Sequence, residues 1–242
     1  MSTGLVALLC AVAAGVLGLL VPPAIRRLPE PAPESLGDVP EDEGPKELYA
    51  DLGRLPGLAS VAALVSAVVA GACGLRLGTG AEGRLLWVLV PLVPVLVLLA
   101  VVDGRTRLLP RIVVLPATGA LLALLVVEWT FTQETHVLVR AVVAMLVARS
   151  FFWVLWFVKQ AGMGFGDVRL AALVGLVLGR LGWNEWLVGL YGGLVVFALW
   201  GVGRALVKRS RAALKQALPY GPFMILGLVL GVLAGSTVAL VG

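Results

Sequence analysis

Two aspartates sit in the most unusual local sequences of the chain: Asp103 within Val101-Val102-Asp103-Gly104-Arg105, and Asp167 within Gly162-Met163-Gly164-Phe165-Gly166-Asp167. Each stands at the edge of a long apolar run. An ionisable group beside lipid is costly, so its default reading is a functional site with a partner to be found. Two carboxylates brought close cannot easily both ionise, and such a pair shares a proton. One member can then accept a proton from a water while the other donates a hydrogen bond. The same pair could instead relay protons or cations through a membrane protein. The glycines before Asp167 accept backbone angles closed to other residues and let another chain approach closely. Structural readings compete with both. Asp103 can simply end a span beside Arg105 and Arg107, and Asp167 can be a helix N-cap, where a negative charge is favourable.

The elements that must deliver these groups follow from composition. The chain has 242 residues, of which 60% are hydrophobic and 14% charged, with a mean hydropathy of +1.02. A soluble domain this apolar could not cover its surface with polar groups, so the class is an all-α, polytopic membrane protein. Apolar runs near residues 4–25, 58–79, 84–102, 112–131, 136–158, 168–183, 186–206 and 219–241 predict about eight transmembrane helices. Most approach the ~20 residues that cross a hydrocarbon core, and the shorter ones must lean on neighbours. The first run lacks a preceding positive charge and a small-residue cleavage site, so it reads as a retained span and not a secretory signal. Three parts result: a first transmembrane helix at 1–25, a polar cytoplasmic loop at 26–57, and a seven-helix membrane domain at 58–242. The loop is rich in proline, glycine and acids, a composition with little core of its own.

Placing the N-terminus outside puts 26–57, 103–111, 159–167 and 207–218 on the inner side. Fourteen of the nineteen Lys and Arg then lie in or beside inner segments, from Arg26, Arg27, Lys46 and Arg54 to Arg204, Lys208, Arg209, Arg211 and Lys215. This positive-inside bias supports the orientation and accounts for most of the net charge of +5, so no nucleic-acid partner is expected. Trp87, Trp129, Trp183 and Trp186 fall at outer span ends, as an aromatic belt would. Asp103 and Asp167 both arrive at the inner face.

Other signals read as structural. Gly175 and Gly179, Gly189 and Gly193, and Gly227, Gly231 and Gly235 have the small-xxx-small spacing that brings helix backbones together. Cys10 and Cys73 lie inside apolar runs and read as small core residues. A single histidine, His136, is poor material for a zinc site. Glu128, Glu134 and Glu185 read as solvated residues at the outer interface.

Asp103 is followed by Leu109-Pro110, Asp167 closes a Gly-x-Gly-x-Gly-Asp, and Pro219-Tyr220-Gly221-Pro222-Phe223 opens the last run on the same face. Together these motifs, spread over about residues 85–240, resemble the type IV prepilin peptidases, membrane aspartic proteases of the GxGD type. The resemblance implies Asp103 and Asp167 as the catalytic pair, with Gly162, Gly164, Gly166, Leu109, Pro110, Pro219, Gly221 and Pro222 in substrate binding or motif support. It implies peptide hydrolysis, in which the ionised carboxylate activates water and the protonated one polarises the scissile carbonyl. The implied substrates are type IV prepilins or pilin-like pseudopilins, cut between a short basic leader and a hydrophobic helix. The implied location is a bacterial cytoplasmic (inner) membrane, with the site facing the cytoplasm.

Many family members carry two Cys-x-x-Cys pairs in the first cytoplasmic loop, associated with zinc and with S-adenosylmethionine-dependent N-methylation. Residues 26–57 contain no cysteine, so the expectation is a peptidase without metal or cofactor, S-adenosylmethionine entering only if methylation is retained. Arg111 follows Leu109-Pro110 where Asp or Asn is frequent, and Arg169 stands where Lys is usual. The alternative function is a small membrane transporter or channel with the aspartates as a relay. The apolar span interiors and the clustering of acids at one face disfavour it, and a non-catalytic scaffold would leave both aspartate motifs unexplained.

Overall fold

The computed structural model describes residues 2–30, 47–78, 80–158, 164–207, 219–234 and 237. The regular elements among them are helical: α1 (Thr3–Gly18), α2 (Val21–Arg26), α3 (Tyr49–Leu52), α4 (Leu58–Leu77), α5 (Leu86–Thr106), α6 (Arg111–Thr132), α7 (Thr135–Val158), α8 (Phe165–Leu181), α9 (Trp183–Val207) and α10 (Gly221–Ala234). A 3-10 turn at Ala81–Leu85 leads into α5. The protein is therefore all-α and polytopic, as its composition requires.

Six stretches among the described residues are long and apolar enough to cross a membrane: Thr3–Arg26, Leu58–Leu77, Glu82–Thr106, Arg111–Thr132, Thr135–Val158 and Trp183–Val207. The two further spans expected from sequence correspond to shorter helices, α8 with 17 residues and α10 with 14 among those described. The first run is interrupted between α1 and α2, just before Pro22-Pro23. A proline supplies no backbone N–H and its ring clashes with the preceding turn, which disfavours unbroken helix there.

Small residues set the helix pairing. An added Cβ at Gly18 would lie 2.7 Å from the Ala63 Cα, and one at Gly74 would lie 2.8 Å from the Ala7 Cα, so α1 and α4 touch nearly backbone to backbone. At Gly175 an added Cβ would meet the Ala148 Cβ at 2.8 Å, and Gly179 is packed as closely on Ala144, which joins α8 to α7. Gly193 and Gly227 do the same for α9 and α10. The glycine spacing read as packing signal thus coincides with the α7–α8 and α9–α10 pairs, as small residues permit in membranes, while the α1–α4 contact through Gly18 and Gly74 was not among those signals.

α8 is the central post. Every residue from Leu170 to Leu181 is buried, enclosed by α6, α7, α9 and α10. Its C-terminal end is held by charges that a hydropathy reading misses. Arg140 of α7 donates to three carbonyls at the C-terminus of α8, from Nε to Gly179 at 2.8 Å and from one terminal nitrogen to Arg180 and Leu181 at 3.0 Å. Arg180 itself donates through two nitrogens to Glu128 of α6, at 2.9 and 2.6 Å. Arg84 also pairs with Glu128, at 3.0 Å, and reaches Glu134 at 3.6 Å. Glu128 is thus an anchor within the bundle and not a solvated interface residue. Glu185, 7% exposed, is buried as well. Trp186 likewise leaves the expected aromatic belt: it is buried, and its indole N–H donates to the Ala144 carbonyl at 3.1 Å.

Removing one partner of a buried ion pair leaves an uncompensated charge. Glu128→Gln should therefore destabilise the bundle by about 3 kcal/mol, whereas the more exposed Glu134→Gln should change little. Thermal unfolding of the two variants in detergent checks this; equal midpoints would show that the Glu128–Arg180 pair contributes nothing.

Candidate active site

α5 ends just after Asp103. Arg107 adopts a left-handed conformation at φ 55°, its N–H donating to the Asp103 carbonyl at 2.8 Å. The chain then turns through Leu108–Pro110 into α6, which Pro110 precedes in an extended conformation. Thr106 fixes the last turn by donating to the Val102 carbonyl at 2.8 Å, and its hydroxyl accepts from the Leu108 N–H at 3.3 Å. The Asp103 carboxylate is 4% exposed and accepts the Gly221 N–H at Oδ2, at 2.9 Å. A helix N-terminus presents backbone donators of this kind to anions. Here α10 opens directly onto Asp103.

Asp167 comes from the opposite direction, in the first turn of α8, with Gly164 extended at the N-cap and the Asp167 N–H donating to its carbonyl at 3.1 Å. Its side chain is 6% exposed, and Oδ1 is fully buried without a hydrogen-bond partner among the described residues. The Asp103 and Asp167 carboxylates lie close enough to act on one another electrostatically. Buried polar atoms are nearly always paired, so a carboxylate oxygen left without a partner among the described residues, within electrostatic reach of a second carboxylate, is an unusual feature of this end of the bundle.

The other residues singled out from sequence fall around this pair. Leu109 packs on Gly166 so tightly that an added Cβ there would lie 2.6 Å from the Leu109 Cβ, which ties the Leu109-Pro110 turn to the first turn of α8. Pro222 lies over Gly104, 3.8 Å from where a Cβ would stand. Tyr220 is buried between Phe152 and Phe197, with ring centroids 5.4 and 5.1 Å away, and lies within electrostatic reach of Asp167. The Tyr220-Gly221 step thus contacts Asp103 through its N–H and approaches Asp167 through its phenol. Pro219 leads into that step. Gly164 is exposed, and among the described residues only the Gly166 nitrogen, at 3.9 Å, lies near an added Cβ. Gly162 lies outside the described residues.

One contributor was not expected. The end of the segment read as a polar loop forms α3, whose Tyr49 and Leu52 are 3% and 1% exposed. Glu30 accepts the Tyr49 and Ala50 N–H groups at 3.0 and 2.9 Å, and Glu47 pairs with Arg105 at 3.1 Å. Tyr49 reaches Thr106 and faces Asp103, and burial pushes its phenol above the usual range. The only advance signal was the isolated Leu48-Tyr49 in an otherwise acidic stretch.

The two Cys-x-x-Cys pairs that the sequence resemblance leads one to look for have no counterpart in this chain. Cys10 and Cys73 are buried on the paired helices α1 and α4, far apart in character from the acidic loop, and no group of three or more His, Cys, Asp or Glu gathers among the described residues. The residues present do not fit a tetracysteine zinc site.

Fold and site together define a polytopic helical membrane protein with two buried carboxylates, from separate helices, meeting at one end of the bundle. Residues 90–207 match the type IV leader peptidase family, the family that the chain's motifs resemble. The prepilin leader peptidase/N-methyltransferase of Pseudomonas putida is 32% identical over 180 residues, covering 73% of this chain and 57% of that protein. The protein of the same name from Dickeya chrysanthemi is 31% identical over 150 residues, 58% of this chain and 50% of its own length. That from Bacillus subtilis (strain 168) is 26% identical over 185 residues, 76% and 69% of the two chains. The chain thus spans about half the length of the first two relatives. No solved structure matches it.

Proposed function

We propose that the chain is an intramembrane aspartic endopeptidase that removes the short basic leader from type IV prepilins or pilin-like pseudopilins. The observation that carries this reading is the buried Oδ1 of Asp167, unpaired among the described residues and on a carboxylate within electrostatic reach of Asp103. A carboxylate serving only as a helix cap would have its oxygens paired to backbone N–H groups. The family match and the prepilin peptidase names of the relatives support the substrate class.

In this mechanism the pair holds one proton and titrates as a unit. The ionised carboxylate takes a proton from a water held between the two groups, and the resulting oxygen attacks the scissile carbonyl carbon. The protonated carboxyl donates to the carbonyl oxygen as it gains charge. Collapse of the tetrahedral adduct re-forms the carbonyl, breaks the C–N bond and delivers a proton to the leaving amine. Gly221 N–H fixes the Asp103 carboxylate throughout. The open side of Gly164 leaves backbone free to pair with an extended substrate, as in strand addition.

The inner-side excess of Lys and Arg supports a cytoplasmic site in a bacterial inner membrane, where a basic leader would lie. The reaction needs no metal and no cofactor, and no S-adenosylmethionine-dependent step is assigned to this chain.

Co-expression with a prepilin carrying a basic leader, read by intact mass, tests this. The leader should be lost with the parent chain and retained with Gly164→Val, whose side chain the protein itself accommodates but an incoming strand would not. A retained leader with a folded parent chain would overturn the peptidase reading; normal processing by the Gly164 variant would overturn the strand-pairing step alone.

A further inference from the structure

Three arginines from three helices converge beside the inner end of α8, and among the described residues none of them has a carboxylate partner. The Leu109–Gly166 contact brings the first residue of α6, Arg111, next to the second turn of α8, where Arg169 stands. α7 runs antiparallel along the other side, with Ala148 against Gly175 and the edge of Trp156 against Phe165 at 5.1 Å. Arg149 therefore flanks the same stretch of α8. The guanidinium of Arg169 lies over the Phe165 ring, 4.9 Å from its centroid, and Arg111 and Arg149 are both close enough to act on it electrostatically.

The position of Arg149 makes this cluster more than a solvated face. It is exposed on a membrane-spanning helix, nine residues before Val158, or about 13 Å along the axis. Its neighbours Leu146, Val147, Trp153 and Val154 are exposed and apolar, so this face meets lipid. A cation there must reach toward the interface and find an anion. The charges that act together here, Arg111, Arg149 and Arg169, have the same sign.

We propose that Arg111, Arg149 and Arg169 bind the phosphate of an anionic phospholipid from the leaflet on the side of Asp103 and Asp167. Guanidinium groups match phosphate oxygens with paired hydrogen bonds. Basic pockets between membrane helices are suited to lipid headgroups. Exposed Ile112, Leu115 and Phe157 supply apolar surface beside the charges for the acyl chains. A basic peptide leader would be repelled, so this is not the surface that receives it. The proposal stands apart from the peptidase reading, and either can fail without the other.

The test uses the purified full chain in zwitterionic detergent, with phosphatidylglycerol or phosphatidylcholine added and retained lipid read by native mass spectrometry. The parent should retain phosphatidylglycerol preferentially. The triple variant R111Q/R149Q/R169Q should bind it roughly 100-fold more weakly, about five-fold for each charge near the membrane surface. The triple lysine variant should keep most of the preference. Equal retention of both lipids by the parent, or an undiminished preference in the glutamine variant, overturns the site. Displacement of the lipid by inorganic phosphate at equal concentration would show a free anion as the ligand and overturn the lipid assignment. Should the triple variant fail to fold, exposed Arg149→Gln alone should weaken phosphatidylglycerol binding about five-fold, and unchanged binding refutes the proposal.

Discussion

Asp103→Asn and Asp167→Asn are each expected to stop leader removal, with rate losses of at least about 1,000-fold, within the range that positioned proton transfer supplies. Asparagine keeps the size and shape of the side chain. At position 103 its carbonyl oxygen can still accept the Gly221 N–H, so the contact between α5 and α10 should persist. What it cannot do is hold or release the shared proton. Co-expressed prepilin should therefore keep its leader with either variant, seen as a fixed mass difference from the product of the parent chain. Normal processing by either variant would remove that aspartate from the chemistry. Because the two groups act as one unit, the double variant should be no worse than the single ones.

The second large effect is expected at Gly221. An added Cβ would stand 2.6 Å from Oδ2 and 3.0 Å from Cγ of Asp103. The carboxylate must then swing away from the N–H that holds it, although the first turn of α10 has no need of glycine for its own backbone. A misplacement of about 1 Å in a reacting group can cost roughly 100-fold in rate. Gly221→Val should therefore lose about that much cleavage while unfolding at nearly the parent temperature. Kinetics within three-fold of the parent would show that the N–H to Asp103 contact does not position the reacting group.

Much of the scaffold could be read in advance because its signals are local. Long apolar runs locate six of the helices, and glycines at four-residue spacing locate the α7–α8 and α9–α10 contacts. The motif residues Asp103, Leu109, Gly166, Asp167, Gly221 and Pro222, spread over more than a hundred positions, do meet at one end of the bundle. The charge network at the C-terminal end of α8 left no comparable trace. Arg140 reaches the carbonyls of 179–181, and Arg180 reaches Glu128, across gaps of roughly 40 to 50 residues. Hydropathy sees such residues only as interruptions near span ends. Helix rotation decides whether each one points to solvent or inward, and no short window of sequence fixes that. The same holds for Tyr49, whose burial depends on Glu30 and Thr106 arriving from other segments.

The brevity of α8 has a consequence for how a peptide could be reached. Seventeen residues extend only about 26 Å, less than the ~30 Å depth of the hydrocarbon layer. Since arginine and glutamate side chains tether its far end near one boundary, its near end stops below the other. A polypeptide bond presented to Asp167 must sink below the headgroups, or the bilayer must thin to meet it, so the tension and thickness of the surrounding lipid would set how readily the bond arrives.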